Sequence, residues 1–144
     1  MDLQTKFRVT VDFRQSLAEM IKAGKYDDVN EDITAEHFLI EGTGTVETEV
    51  VLVHFDCDIE SDDAIREMEQ MGLISGKIEH LLALGAEYPD LEYPIICLGS
   101  VWVDRDGRHA VPYLRRWNVG RELRLHWGDR RWRDDCRFLA LRTS

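Results

Sequence analysis

The sequence predicts an α+β fold, with short helices packed on one face of a largely antiparallel sheet, and three observations support that prediction. Apolar and polar residues alternate through several short runs, the signature of half-buried strands. Between the early runs lie brief stretches with helical spacing and recognisable stop residues. The order is strand, helix, strand, helix, helix and then four strands, which lacks the one-for-one interleaving of a parallel α/β sheet. With 144 residues, 44% of them hydrophobic, the chain is long enough to bury one core, and it is read as a single domain: an acidic β-α-β-α half (1–71) and an Arg/Trp-rich half of one helix and four strands (72–144).

Along residues 7–13, Phe7, Val9, Val11 and Phe13 fall on one side of a strand and Arg8, Thr10 and Asp12 on the other. Ser16 and Glu19 form a capping box ahead of Leu17, Met20 and Ile21, and Gly24 stops that helix. Thr34 is placed to cap a brief turn. Thr45–Phe55 alternates at first and then becomes apolar on both faces at Val50–Val53, so it starts wet and ends buried. Ser61 is expected to cap a helix with Asp62 and Asp63 in its first turn and Ala64, Ile65, Met68 and Met71 on one face, ending at Gly72. A third helix, 77–84, is expected to end at Gly85. Beyond Pro94 the pattern becomes extended: one strand over Ile95–Val103, a turn at Asp106-Gly107, a return strand over Ala110–Leu114 that Pro112 pushes toward an edge or bulge, then Glu122–Trp127 and Phe138–Arg142.

Charge is divided unevenly. Residues 1–98 carry 7 basic and 22 acidic side chains, a net −15, whereas 99–144 carry 11 and 6, a net +5, and all of those 11 are arginine. All four tryptophans, Trp102, Trp117, Trp127 and Trp132, also follow Gly99. Arginine and tryptophan are enriched where proteins grip partners, and the planar guanidinium suits carboxylate or phosphate. The overall charge of −10 argues against indiscriminate binding to nucleic acid. No apolar run is long enough to cross a bilayer and the N-terminus has no signal-like pattern, so a cytoplasmic protein without a membrane partner is expected. Cys57, Cys97 and Cys136, an odd number at wide spacing, are expected to be reduced and mostly buried.

His54, Asp56, Cys57 and Asp58 form the densest group of potential ligands, and an extended backbone would put His54, Asp56 and Asp58 on one face. A small metal-dependent or hydrolytic enzyme built around His54, Asp56 and Cys57 is one alternative; the other is a strand end that runs into a helix. HExxH, CxxC, G-x-S-x-G and phosphate-loop patterns do not occur, and neither a cofactor nor a metal is expected. In the segment from Arg121 to Trp127, Arg121, Leu123, Leu125 and Trp127 share one face and Glu122, Arg124 and His126 the other, beside the loop segments 115–118 and 129–133. Either these arginines form a recognition face or they answer the acidic half through ion pairs, while Trp102 and Trp127 fill the core. Single-stranded nucleic acid held by the Arg-rich end is a further alternative.

The residues Leu82-Ala-Leu-Gly85, Tyr93-Pro-Ile95, Leu98-Gly-Ser-Val-Trp102, Gly107, Val111-Pro-Tyr-Leu114, Arg121-x-Leu-x-Leu-x-Trp127, Trp132 and Cys136–Arg142 together resemble an uncharacterised family of small proteins from uncultivated bacteria. Its C-terminal half resembles a C-type-lectin-like domain of the kind that displays variable residues in targets of diversity-generating retroelements. The resemblance covers most of residues 72–144 and implies a binding face on the last strands and their loops. The strings nearest to that fold's calcium triplets, Tyr88-Pro-Asp90 and Trp117-Asn-Val119, each lack a ligand, so calcium-dependent sugar binding is not implied. The expected function is a non-enzymatic binding module whose face comprises Trp117, Asn118, Arg121, Arg124, His126, Asp129, Arg131 and Arg133, and whose partner is another protein or an anionic ligand.

Overall fold

The computed structural model describes residues 4–117, 120–127 and 131–143; the side chain of Trp117 also lies outside the description. Its elements in order are β1 (Gln4–Asp12), α1 (Leu17–Ala23), β2 (Asp28–Val29), β3 (Thr45–Val53), β4 (Ile59–Glu60), α2 (Ser61–Gln70), β5 (Leu73–Ser75), α3 (Ile78–Glu87), β6 (Ile95–Ile96), β7 (Trp102–Val103), β8 (His109–Trp117), β9 (Gly120–Trp127), β10 (Arg131–Trp132) and β11 (Arg137–Arg142). The main sheet runs β1-β3-β11-β6-β8-β9-β2, with β5 beside β11 and β7 beside β8. Among the described residues only the β11–β6 and β2–β9 pairings are parallel. A separate ribbon pairs β10 with β4. The last described strand therefore lies in the middle of the sheet, next to a strand from the acidic half.

Local signals are met where the cause is local. Ser16 accepts from the Glu19 amide at 3.1 Å while the Glu19 carboxylate accepts from the Ser16 amide at 2.8 Å, closing the capping box of α1. Gly107, at φ 79°, closes the β7–β8 turn with its amide on the Asp104 carbonyl. Along β3 the first residues are exposed and Val50 to Val53 are fully buried.

The helices do not share one face of the sheet, contrary to the sequence expectation. Val50 and Leu52 join Val9, Val11, Leu81, Leu82, Leu123 and Leu139 in a core beneath α1 and α3. Val51 and Val53 point the other way and join Phe138, Ala140, Ile96 and Trp132 beneath α2, through Ala64 and Met68. A strand that is apolar on both sides needs a cover on both. We call the α1/α3 side the first face and the α2 side the second.

Several local expectations also differ. Helix α3 does not stop at Gly85 but continues to Glu87, and Gly85 is buried within it. A Cβ there would lie 2.1 Å from the Tyr26 hydroxyl, so this glycine makes room for a ring rather than ending a helix. The single strand expected over Ile95–Val103 is two short ones, β6 and β7, because beyond Cys97, whose amide still donates to the Pro112 carbonyl, the chain leaves the ladder to meet Gly76. The Gly99 amide donates to the Gly76 carbonyl at 3.0 Å, and a Cβ on Gly99 would stand 2.2 Å from that oxygen. Pro112 lies in an interior strand, not on an edge, but opposite this break: Tyr113 and Leu114 pair with β6, and His109 and Ala110 with β7. Finally, Ser61 does not cap α2 but is its first helical residue, and its hydroxyl accepts from the Trp132 indole at 2.8 Å.

Candidate functional site

Alternation along β8 and β9 sorts their side chains between the two faces. Leu114, Leu123, Leu125 and Trp127 belong to the first. Trp102 meets Trp127 edge-on at 5.2 Å and stacks on His37 at 3.7 Å, so both tryptophans pack against the core as the sequence suggests, each half-buried. On the second face the register aligns Val111 with His126, Tyr113 with Arg124 and Arg115 with Glu122. Helix α2 packs on β5 and β4, and these residues of β8 and β9 remain half-exposed beyond it.

An aromatic cluster forms there. The His126 ring lies 4.3 Å from that of Trp132, and Tyr113 meets the two at 6.4 and 6.3 Å. Trp132 is not a loop side chain on the rim, as its sequence context suggests. It belongs to β10, is 5% exposed, and is fixed by Ser61 and by edge-on contact with Phe138 at 6.3 Å. Only its neighbours carry the surface outward. A recess of about 520 Å³ opens beside it, lined by Asp58, Arg131, Trp132, Arg133 and Asp134.

Charges on this face come in alternating signs. Arg115 donates to Glu122 at 2.6 Å, and Arg124 lies 3.0 Å from Asp28 and 3.5 Å from the other Glu122 oxygen. Glu122 is thus held between two guanidiniums, and its hydrogen bond raises the Arg115 pKa above the usual range. Arg131 lies 3.6 Å from Asp58. Elsewhere Arg142 meets Glu49 at 3.2 Å and Arg116 donates to the Pro89 carbonyl. Arg124, Arg131 and Arg142 meet carboxylates of the acidic half and Arg115 one of its own, so the arginine-rich end does not form a plain cationic stripe.

Arg121 departs from its expected role on the recognition face. It turns to the first face, donates to the carbonyls of Gly24 and Gly85, and lies 4.8 Å over the Tyr26 ring. Its backbone amide donates to Asp27 at 2.8 Å. The residue joins β9 to the ends of α1 and α3 and has no place in the face around His126. Of the other expected residues, Arg124, His126, Arg131 and Arg133 lie on or beside the second face; Trp117 is the last residue of β8; Asn118 and Asp129 lie outside the described residues.

The cluster at His54 does not have its expected shape. Strand β3 ends at Val53 and Asp56 has φ 59°, so the segment is not extended and His54, Asp56 and Asp58 do not line one face. His54 Nε2 is 2.8 Å from the Asp134 carbonyl and 3.8 Å from Asp56, while Asp58 meets Arg131. Among the described residues no group of three His, Cys, Asp or Glu side chains is disposed to hold a metal ion. Cys57 is exposed and Cys97 and Cys136 are buried. Burial pushes the Cys97 thiol up to about 12 and the Cys136 thiol to about 11, which keeps both protonated and unreactive.

Sequence reasoning placed Glu122 on this face with Arg124 and His126 but missed Tyr113, Arg115 and Asp28. The signal for the first two was present in the alternation of two strands joined by a turn, since a paired register brings Val111-x-Tyr113-x-Arg115 beside Glu122-x-Arg124-x-His126. Asp28 had no such signal, because it arrives from the acidic half on a two-residue parallel strand. No helix among the described residues is long and apolar enough to cross a membrane. No protein-family model matches the chain, nor does any curated protein or solved structure.

Proposed function

We propose that this chain is a non-enzymatic binding module whose recognition surface is the open part of the second face, formed by β8, β9 and the recess beside Trp132. The observation that carries this reading is the cluster of Tyr113, His126 and Trp132 rings, flanked by Arg115, Arg124 and Arg131 on a sheet face that α2 leaves half-exposed. Anchored rings and planar guanidiniums are the groups that most often dominate association energies. The partner this favours is a protein segment that offers carboxylates to the guanidiniums and an apolar side chain to the rings. The same strands carry the resemblance to C-type-lectin-like display domains, and a display role for their loops belongs to this proposal. The pairing of each guanidinium with a carboxylate of the chain itself would fix its orientation before a partner arrives, which lowers the ordering cost of binding.

The test is to replace His126, Arg124 and Arg133 by alanine together and compare the variant with the unaltered protein in melting temperature and in partner capture, each captured protein being remeasured pure. A variant that melts normally and loses the purified partner supports the reading. Unchanged binding, or binding lost only with the fold, overturns it.

A further inference from the structure

Glu79, in the first turn of α3, lies on the opposite side of the sheet from the aromatic cluster and has no place in the proposed recognition surface. It is 5% exposed, and its Oε1 is fully buried with no hydrogen-bond partner among the described residues. It lines a cleft of about 100 Å³ between α1, α3 and the end of β1. Asp12 and Glu87 line the same cleft, with the neutral Thr10 and Gln15, and among the described residues no lysine, arginine or histidine does. Asp12 is already answered by Arg14 at 2.8 Å, and one Glu87 oxygen accepts from the Thr10 amide at 2.8 Å. Neighbouring His80 does not supply the missing charge, because its Nδ1 accepts from the Lys77 amide and burial lowers its pKa. A buried carboxylate oxygen without a donor is costly, and a cleft lined by three carboxylates and no cation attracts positive charge.

The rest of the lining limits which cation fits. Met20, Leu82, Ala83 and Ala86 give the cleft an apolar wall. The described residues offer no trio of ligands for a metal ion. The cleft has room for a short alkyl chain. We propose that this cleft binds a small primary alkylammonium ion, its N–H donors on Glu79 and its alkyl stem against Met20, Leu82 and Ala83. An ammonium head brings three donors to the Glu79 carboxylate, which turns toward the cleft to accept them because its Oε1 is closed off as it stands, and the stem covers apolar surface.

Amide NMR spectra recorded during titration with n-propylammonium test this, with 1-propanol as the neutral control and tetramethylammonium as the cation without N–H donors. The expected result is saturable shifts at residues of α1 and α3 for n-propylammonium alone, weakened about tenfold or more in Glu79→Gln. If Glu79→Gln does not fold, Ala83→Leu keeps the carboxylate, fills the cleft, and is expected to abolish the shifts. Equal response to propanol, unchanged affinity in the folded Glu79→Gln, or no saturable shift at millimolar concentrations overturns the proposal. Substitution of Arg124 and Arg133 is expected to leave the titration unchanged, so failure here and failure of the recognition surface are separable.

Discussion

Arg121 illustrates how one side chain can serve stability where its type and position suggest recognition. Its guanidinium satisfies the Gly24 and Gly85 carbonyls and covers Tyr26, which two point contacts from a lysine could not reproduce. Arg121→Ala is therefore expected to cost about 2–3 kcal/mol in urea unfolding, and Arg121→Lys to recover less than half of that. Gly85→Ala is the second case. In most helices alanine stabilises relative to glycine by roughly 1 kcal/mol, but here the added carbon meets the Tyr26 hydroxyl at 2.1 Å and Leu114 at 3.0 Å. Destabilisation by about 1–3 kcal/mol is expected instead, partly relieved by adding Tyr26→Phe, and thermal melts of the single and double variants check both. The capping box at Ser16 was legible in the sequence because its partners lie three residues apart. The duty of Gly85 was not, since it is set by a tyrosine from a distant segment, and helical glycine near a helix end reads as a stop.

Elements were legible in proportion to their length. Strands β1, β3, β8, β9 and β11 all announce themselves by alternation or by apolar runs, whereas β2, β4 and β10, two residues each, have no period to read. The β6–β7 break was hidden for a different reason: residues 95–103 are uniformly extended in character, and only the approach of Gly76 to Gly99 breaks their ladder. Strand β10 matters out of proportion to its size, because it carries Trp132 to the face of β8 and to the Ser61 hydroxyl on α2. Trp132→Phe should lose the 2.8 Å hydrogen bond and the pyrrole half of a buried indole, costing about 2–3 kcal/mol. Ser61→Ala should cost about 1 kcal/mol, and the double variant about 1 kcal/mol less than the sum of the two, which a double-mutant cycle in urea would show. Additive losses would mean that the two groups stabilise the fold independently. The candidate face was half legible by the same rule: the alternation of β9 gave Glu122, Arg124 and His126, while the register that adds Tyr113 and Arg115 required knowing which strand lies beside it.

For the molecule as a whole, alkaline pH is the revealing variable. Desolvation pushes Tyr26 up to about 12 and Cys97 to about 12, and raises Cys136 to about 11, against ordinary values of 10.0 and 9.0 for tyrosine and cysteine. Each group gives up its proton more readily when unfolded, so between its ordinary and its raised pKa the native state holds more protons than the unfolded state. Stability contributed by these groups is complete below about pH 9 and falls as pH rises toward 12, by at most about 1.4 kcal/mol per pH unit for each group. Urea unfolding as a function of pH is expected to show this decline, and Cys97→Ala and Tyr26→Phe to flatten it. The charge division between the halves of the chain, plain in the sequence, turns out to be in part an interlock: Arg116, Arg121, Arg124, Arg131 and Arg142 meet acceptors before residue 99, while Arg108 and Arg115 pair with carboxylates after it. The central position of β11 extends that interdependence to the order in which the protein is made. Phe138 and Ala140 complete one core and Leu139 the other. During synthesis, then, neither side of the sheet can close until these residues clear the ribosome, and the earlier strands must wait, with Val50–Val53 uncovered, as candidates for chaperone protection.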